Sequence, residues 1–203
     1  MRKLFLFFSV FLAVSYGVFS QESRRTDILL DKGWRTAVND TDQHAYNGFE
    51  SAGFQDKDWL AVNVPHNWDQ YAGYLRLRHG NRHGYAWYRK SFTVDTPAIS
   101  ASERKKRRYF LFFEGVGSYA TVFLNGKKIG YHAGGRTTFT IDITPEIFLD
   151  KRPNLLAVRA DHPAGIKDLP WVCGGCSEER GFSEGSQPLG IFRPVHLVVT
   201  DPV

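Results

Sequence analysis

The sequence predicts an all-β protein, a sandwich of two antiparallel sheets with a jelly roll as first choice of topology, and three observations carry that prediction. Phe, Tyr and Trp make up 15% of the chain, with sixteen Phe against a single Met, and runs of good helix formers are scarce, a balance that favours sheets. Short apolar runs alternate at a period of two and are broken by Gly, Pro, Asn and Asp, as in strands that bury one face. Asn125-Gly126 stands between two such runs, and both residues tolerate the positive φ that a two-residue hairpin turn demands. The count is about eight short strands with almost no helix. An immunoglobulin-like sandwich is the alternative, although it usually needs only about 100 residues. At 203 residues the chain is long enough to bury a core without metal or disulfide staples.

The first twenty residues read as a secretory signal. Arg2 and Lys3 precede an apolar run from Leu4 to Val14, and Val18-Phe19-Ser20 supplies a cleavage site before Gln21. The run is shorter than the roughly 20 apolar residues of a membrane-spanning helix, and no Cys follows it to take a lipid. The expectation is a signal peptide over 1–20, export to the periplasm or beyond, and no membrane attachment after cleavage. The remainder, 27–203, has no low-complexity linker and no internal repeat, and reads as one domain.

Within it, Gly84 to Val94 is rich in aromatic and β-branched residues and reads as a buried strand. Arg104-Lys105-Lys106-Arg107-Arg108 is the densest basic run. Without Arg2 and Lys3 the formal charge falls from +5 to +3, much of it here. The run joins Ala98-Ile99-Ser100-Ala101-Ser102 to a strand, so a solvated hairpin loop fits better than a nucleic-acid contact. Tyr109 to Phe113 is apolar at every position and predicts a central strand buried on both faces. Ala120 to Leu124 and Lys127 to Tyr131 form the Asn-Gly hairpin. Phe139, Ile141 and Ile143 alternate with Thr138, Thr140 and Asp142, while Thr144-Pro145 marks the turn. Leu156, Val158 and Ala160 continue the alternation. Val195, Leu197 and Val199 make the last strand, with Pro194 at its start, where a missing N–H does least harm.

Six motifs in order carry a resemblance. They are Asp58-Trp59; Val64-Pro65-His66-Asn67-Trp68; Ala86-Trp87-Tyr88-Arg89-Lys90-Ser91-Phe92; Phe113-Glu114-Gly115-Val116 leading into Ser118-Tyr119-Ala120-Thr121-Val122-Phe123-Leu124-Asn125-Gly126-Lys127; Gly130-Tyr131-His132-Ala133-Gly134-Gly135; and Gly190-Ile191-Phe192-Arg193-Pro194-Val195. Over roughly Gly33 to Val199 the chain resembles the N-terminal domain of glycoside hydrolase family 2, which holds β-galactosidases, β-glucuronidases and β-mannosidases. The resemblance implies a galactose-binding-like jelly roll. It also implies partners: an immunoglobulin-like domain and a TIM barrel bearing two catalytic Glu, both beyond Val203, so that this chain would be part of a longer enzyme. The expected ligand is a β-glycoside, with β-galactoside as the commonest case. A free-standing carbohydrate-binding module is the alternative.

Glycoside hydrolysis uses two carboxyl groups held roughly 5 to 9.5 Å apart, and no such pair can be nominated here. Glu178, Glu179 and Glu184 cluster in a Gly- and Ser-rich stretch with surface solvation as their default. The chain alone is therefore expected to be inactive, with no cofactor and no metal. Two loops are candidates for sugar contact. Tyr71 to Gly84 brings Arg76, Arg78, His79, Asn81, Arg82 and His83, whose forks suit hydroxyls and carboxylates; a solvated basic loop or a contact with a neighbouring domain is the plainer reading. Trp171 to Leu189 is long and lacks strand periodicity, and the resemblance places a family acidic position at Glu184, where Asp would be expected. The aromatics Trp87, Tyr88, Phe92, Phe110, Phe112 and Phe123 sit at strand positions and read as core, not as a sugar platform. Cys173 and Cys176 have CxxC spacing. Without a βαβ setting or two further ligands, and in an exported chain, a short disulfide is the reading, with two free thiols as the alternative.

Overall fold

The computed structural model describes residues 25–39, 48–72, 82–94, 100–163 and 188–201. Ten strands lie among them: β1 (Thr26–Leu29), β2 (Trp34–Asn39), β3 (Leu60–Val62), β4 (Gly84–Phe92), β5 (Arg108–Phe113), β6 (Tyr119–Leu124), β7 (Lys127–Ala133), β8 (Phe139–Asp142), β9 (Asn154–His162) and β10 (Val195–Thr200). One sheet has the order β1-β10-β5-β8 and the other β3-β2-β4-β9-β6-β7, every pairing being antiparallel. The chain crosses between sheets from β1 to β2, β4 to β5, β5 to β6, β7 to β8, β8 to β9 and β9 to β10, which is the jelly-roll path. Ten strands exceed the eight expected because β1, β2 and β3 are short edge or near-edge elements with weak alternation.

The core lies between the sheets. Leu111, Phe113, Val122, Leu124, Leu156, Val158, Ala160, Val195 and Leu197 are at most 1% exposed, and they fall at alternate positions of β5, β6, β9 and β10, as the pleat requires. Asn125 (φ 54°) and Gly126 (φ 86°) both take positive φ between β6 and β7, so the hairpin turn forms where Asn-Gly stands.

Two expectations need correction. Tyr109, Leu111 and Phe113 of β5 are buried, but Phe110 and Phe112 are only half-buried, because among the described residues no third layer covers this sheet. The Arg108 guanidinium lies 5.0 Å from the Phe110 ring, and the His196 ring 5.6 Å from Phe112. The basic run is solvent-exposed at Lys105 and Lys106, but it is not a hairpin, because it joins β4 of one sheet to β5 of the other. Ala101–Arg104 forms a single helical turn, α1, closed by a capping box between Ser100 and Glu103, and Arg107 pairs with Asp201 at 3.1 Å.

The larger sheet carries a second, smaller apolar cluster on its outer face. Trp87 and Ala157 are buried there beneath Phe49 and Trp59, with Phe123 and Tyr85 alongside. The covering strap, residues 48–59, is held by Arg89, which is 3% exposed. Its Nε donates to Asp56 Oδ2 at 2.8 Å; Nη1 donates to the carbonyls of Phe49 and Ser51; Nη2 donates to that of Phe54.

Register decides where the candidate loops emerge. Gly84 pairs with His162 and Phe92 with Asn154, so the segment entering β4 and the segment leaving β9 open at the same end of the sheet. Tyr119, which pairs with Asp161 and with Ala133, lies there too. At the opposite end stand Asn154, the β6–β7 turn and the start of β5.

Candidate functional site

The loop end is built around the Pro65-His66-Asn67-Trp68 motif. Pro65 follows a cis peptide bond, and Trp68–Ala72 continues as a short 3-10 helix. This segment binds the stretch before β10 through its backbone: His66 N donates to Ile191 O at 2.7 Å and Trp68 N to Leu189 O at 2.8 Å. Gly190 sits in the crook at φ 143°, where an added Cβ would stand 2.3 Å from the Tyr88 hydroxyl and 2.8 Å from His66 O. Only glycine fits such an approach. Gly117 is as tight, its would-be Cβ lying 1.8 Å from Pro188 O.

Asp69 joins the two candidate loops. It is 1% exposed; one carboxylate oxygen accepts the N–H of Arg82 at 2.7 Å and the other that of Leu189 at 2.8 Å. Two segments far apart in sequence thus close on one carboxylate, a charge-assisted arrangement stronger than neutral hydrogen bonds.

Two histidines beside it stay neutral. His66 Nδ1 lies 2.8 Å from the Tyr88 hydroxyl and Nε2 3.1 Å from that of Tyr71; burial pushes its pKa down to about 4 and pushes the Tyr88 phenol up. His162 Nδ1 lies 2.5 Å from Ser118 Oγ, and the His83 ring stacks on it at 4.9 Å. Burial first, and the neighbouring His83 second, push His162 down to about 3. Against His66 stand Tyr71, 55% exposed, the Trp68 ring 5.4 Å from it, and the Arg82 guanidinium 5.4 Å above Trp68. Aromatic faces, hydroxyls and a cation at one mouth can bind a sugar's C–H face and its polar edge.

Of the predicted contact residues, Arg82 and His83 lie at this mouth. Arg76, Arg78, His79, Asn81, Glu184, Cys173 and Cys176 lie outside the described residues. Among the described residues no three His, Cys, Asp or Glu side chains gather to hold a metal ion. Trp87 (2%), Tyr88 (0%) and Phe92 (9%) are buried and Phe110, Phe112 and Phe123 half-buried, so the strand aromatics serve packing. Sequence reasoning missed Asp69, Ser118 and His162. For His162 a signal existed, since it is the next core-facing position after Leu156, Val158 and Ala160.

The comparisons with known proteins agree with this architecture. The family described as glycosyl hydrolases family 2, sugar binding domain, matches residues 29–201. A β-galactosidase of Bacteroides ovatus is 33% identical over 79% of the chain, and a β-glucuronidase of Bacteroides fragilis is 32% identical over 95% of it. The chain spans only 17% and 23% of the length of these two relatives. Among solved structures, Bacteroides uniformis β-glucuronidase 2, covalently bound to cyclophellitol-6-carboxylate aziridine, superposes with a TM-score of 0.66 at 25% identity, over 88% of this chain and 18% of that one. A β-glycosidase from Bacteroides vulgatus gives a TM-score of 0.61 at 25% identity, over 87% of this chain and 20% of that one. With the family match covering both sheets and the segments that close the loop end, the chain belongs to the sugar-binding domain of glycoside hydrolase family 2.

Proposed function

We propose that this chain is the sugar-binding domain of an exported, β-galactosidase-like family 2 glycosidase, and that it forms one wall of the sugar pocket. The hydrolytic carboxylates stand on a barrel domain of the longer enzyme, with an immunoglobulin-like domain also joined to it. The observation that carries this reading is Asp69, which holds the bases of both candidate loops at one end of the sandwich, where a second domain could complete a pocket. The signal-like first twenty residues support export to the periplasm or beyond.

Inactivity of the chain by itself has its own support. Five of the described carboxylates are committed elsewhere: Asp69 to backbone amides, Asp161 to Arg159, Asp56 to Arg89, Glu114 to His196 and Glu146 to Lys127. A half-pocket also lacks the enclosure that gives affinity, so free sugar should bind at about millimolar strength.

The test is a titration with galactose, glucuronic acid and mannose followed by amide shifts, beside an assay on a nitrophenyl β-galactoside. Weak shifts centred on Arg82, His83, Ser118 and Leu189, and no turnover, are expected. Micromolar saturation centred on β4 would instead support a free-standing module and overturn the pocket-wall reading.

A further inference from the structure

We propose that the end of the sandwich opposite the loops carries an anion-binding groove that takes the carboxylate or sulfate groups of an acidic glycan. The groove encloses about 580 Å3 and is lined by Arg104, Lys105 and residues 147–152. Its wall is fixed from below. Asn154, fully buried, accepts the N–H of Phe148 at 2.7 Å and donates to the carbonyl of Phe148 at 3.0 Å, so the β8–β9 connection is held by a side chain of β9.

The lining combines two chemistries. Ile147 is buried and Phe148 and Leu149 are half-buried, giving an apolar floor. Arg104, Lys105, Lys151 and Arg152 stand around it, against one acid, Asp150, which Arg152 engages at 2.9 Å. Arg104, Lys105 and Lys151 form no ion pair among the described residues. Two further features point to a ligand. The Arg104 Nε is buried with no hydrogen-bond partner among the described residues, and a buried donor without an acceptor calls for an explanation. Lys151 holds a left-handed backbone at φ 68°, which side chains other than Gly, Asn and Asp adopt rarely and which concentrates at functional sites.

An acidic glycan matches both parts. Its ring C–H faces pack on Leu149 and on the stack of Phe148 with Arg152, whose guanidinium stands 4.1 Å from the Phe148 ring, while carboxylate or sulfate oxygens take charge-assisted hydrogen bonds from Arg104 and Lys151. That the anion is borne by a glycan rests on the carbohydrate reading above; the anion site itself does not.

The experiment titrates the chain with trigalacturonate, a chondroitin sulfate tetrasaccharide, inorganic sulfate and neutral cellotetraose, reading amide shifts. Saturable shifts at residues 147–152 with at least one acidic oligosaccharide and none with cellotetraose are expected, and the two oligosaccharides separate carboxylate from sulfate. The double variant Arg104→Gln, Lys151→Gln should weaken binding at least about fivefold, while Lys32→Gln, Lys57→Gln, which removes equal charge elsewhere, should change it less than about twofold, because only contacted cations bind specifically. Equal loss in both double variants, silence to every anion, or sulfate alone binding as tightly as the oligosaccharides overturns the proposal. Shifts at the same amides on raising protein concentration without any anion would assign the face to a second copy and overturn it too. Arg82, Ser118 and Leu189 report in the same spectra, so a loop-end response to galactose beside a silent groove removes this inference and leaves the proposed function standing.

Discussion

Two buried charges organise the irregular parts of this domain, and they have opposite signs. Arg89 holds the strap over the outer face of the larger sheet and Asp69 holds the loop end. The strap turns the carbonyls of Phe49, Ser51 and Phe54 toward the sheet, so it needs a donor, and the five N–H groups of a guanidinium serve several acceptors from one position. The loop end instead turns two N–H groups inward, those of Arg82 and Leu189, so it needs an acceptor with two oxygens. The sign of each charge follows from which backbone groups the segment leaves over, since buried backbone polar groups must be paired. Arg89 also has a counter-ion in Asp56, whereas both oxygens of Asp69 are met by amides.

The largest effect should come from Arg89→Met. It strands several acceptors and the Asp56 carboxylate together, and breaking a buried charge network costs about 3–5 kcal/mol. Chemical denaturation would measure it, and Arg89→Lys should restore less than half, since one ammonium cannot reach three carbonyls and a carboxylate. A loss no greater than that of the Asp69 variant would break the comparison.

Next comes acid sensitivity at the loop end. His66 and His162, pushed down to about 4 and about 3 from an ordinary 6.5, bind fewer protons folded than unfolded. Stability is therefore full above pH 6.5 and falls as pH drops from there toward 3. Asp161, pushed up by burial against the pull of Arg159, works in the opposite sense and softens the slope. Urea midpoints across this window should flatten in His162→Gln, and an unchanged slope would remove the buried imidazole from the account.

Asp69→Asn should cost about 1.5–3 kcal/mol, the range for hydrogen bonds to a charged group. The amide keeps one acceptor and sets an NH2 against an N–H. Amide exchange should quicken at Arg82 and Leu189 and not at Val158, which distinguishes a local joint from general softening. The smallest effect belongs to the exposed pair Arg108–Asp142, 43% and 38% exposed. Arg108→Gln should change stability by less than about 0.5 kcal/mol, as exposed pairs do.

The sequence by itself determined the strands whose pattern is set locally. Period-two alternation in β8, β9 and β10 and the Asn-Gly turn between β6 and β7 can be read along the chain, because burial of one face and a positive-φ turn leave their mark in neighbouring residues. The ordered motifs likewise carried the family resemblance that the comparisons bear out. Even the core placement of His162 was legible, two positions after Ala160. Other features needed the tertiary structure. Phe110 and Phe112 match a doubly buried strand in sequence and are half-exposed because none of the described elements forms a layer outside their sheet. Trp87 is buried on the outward face only because the strap returns over it. Asp69 looks like an ordinary helix-start acid until Arg82 and Leu189, thirteen and 120 residues away, bring their amides to it. Local pattern records which way a side chain points from its own strand; what covers that side is decided by segments distant in sequence, and only the folded chain brings them together.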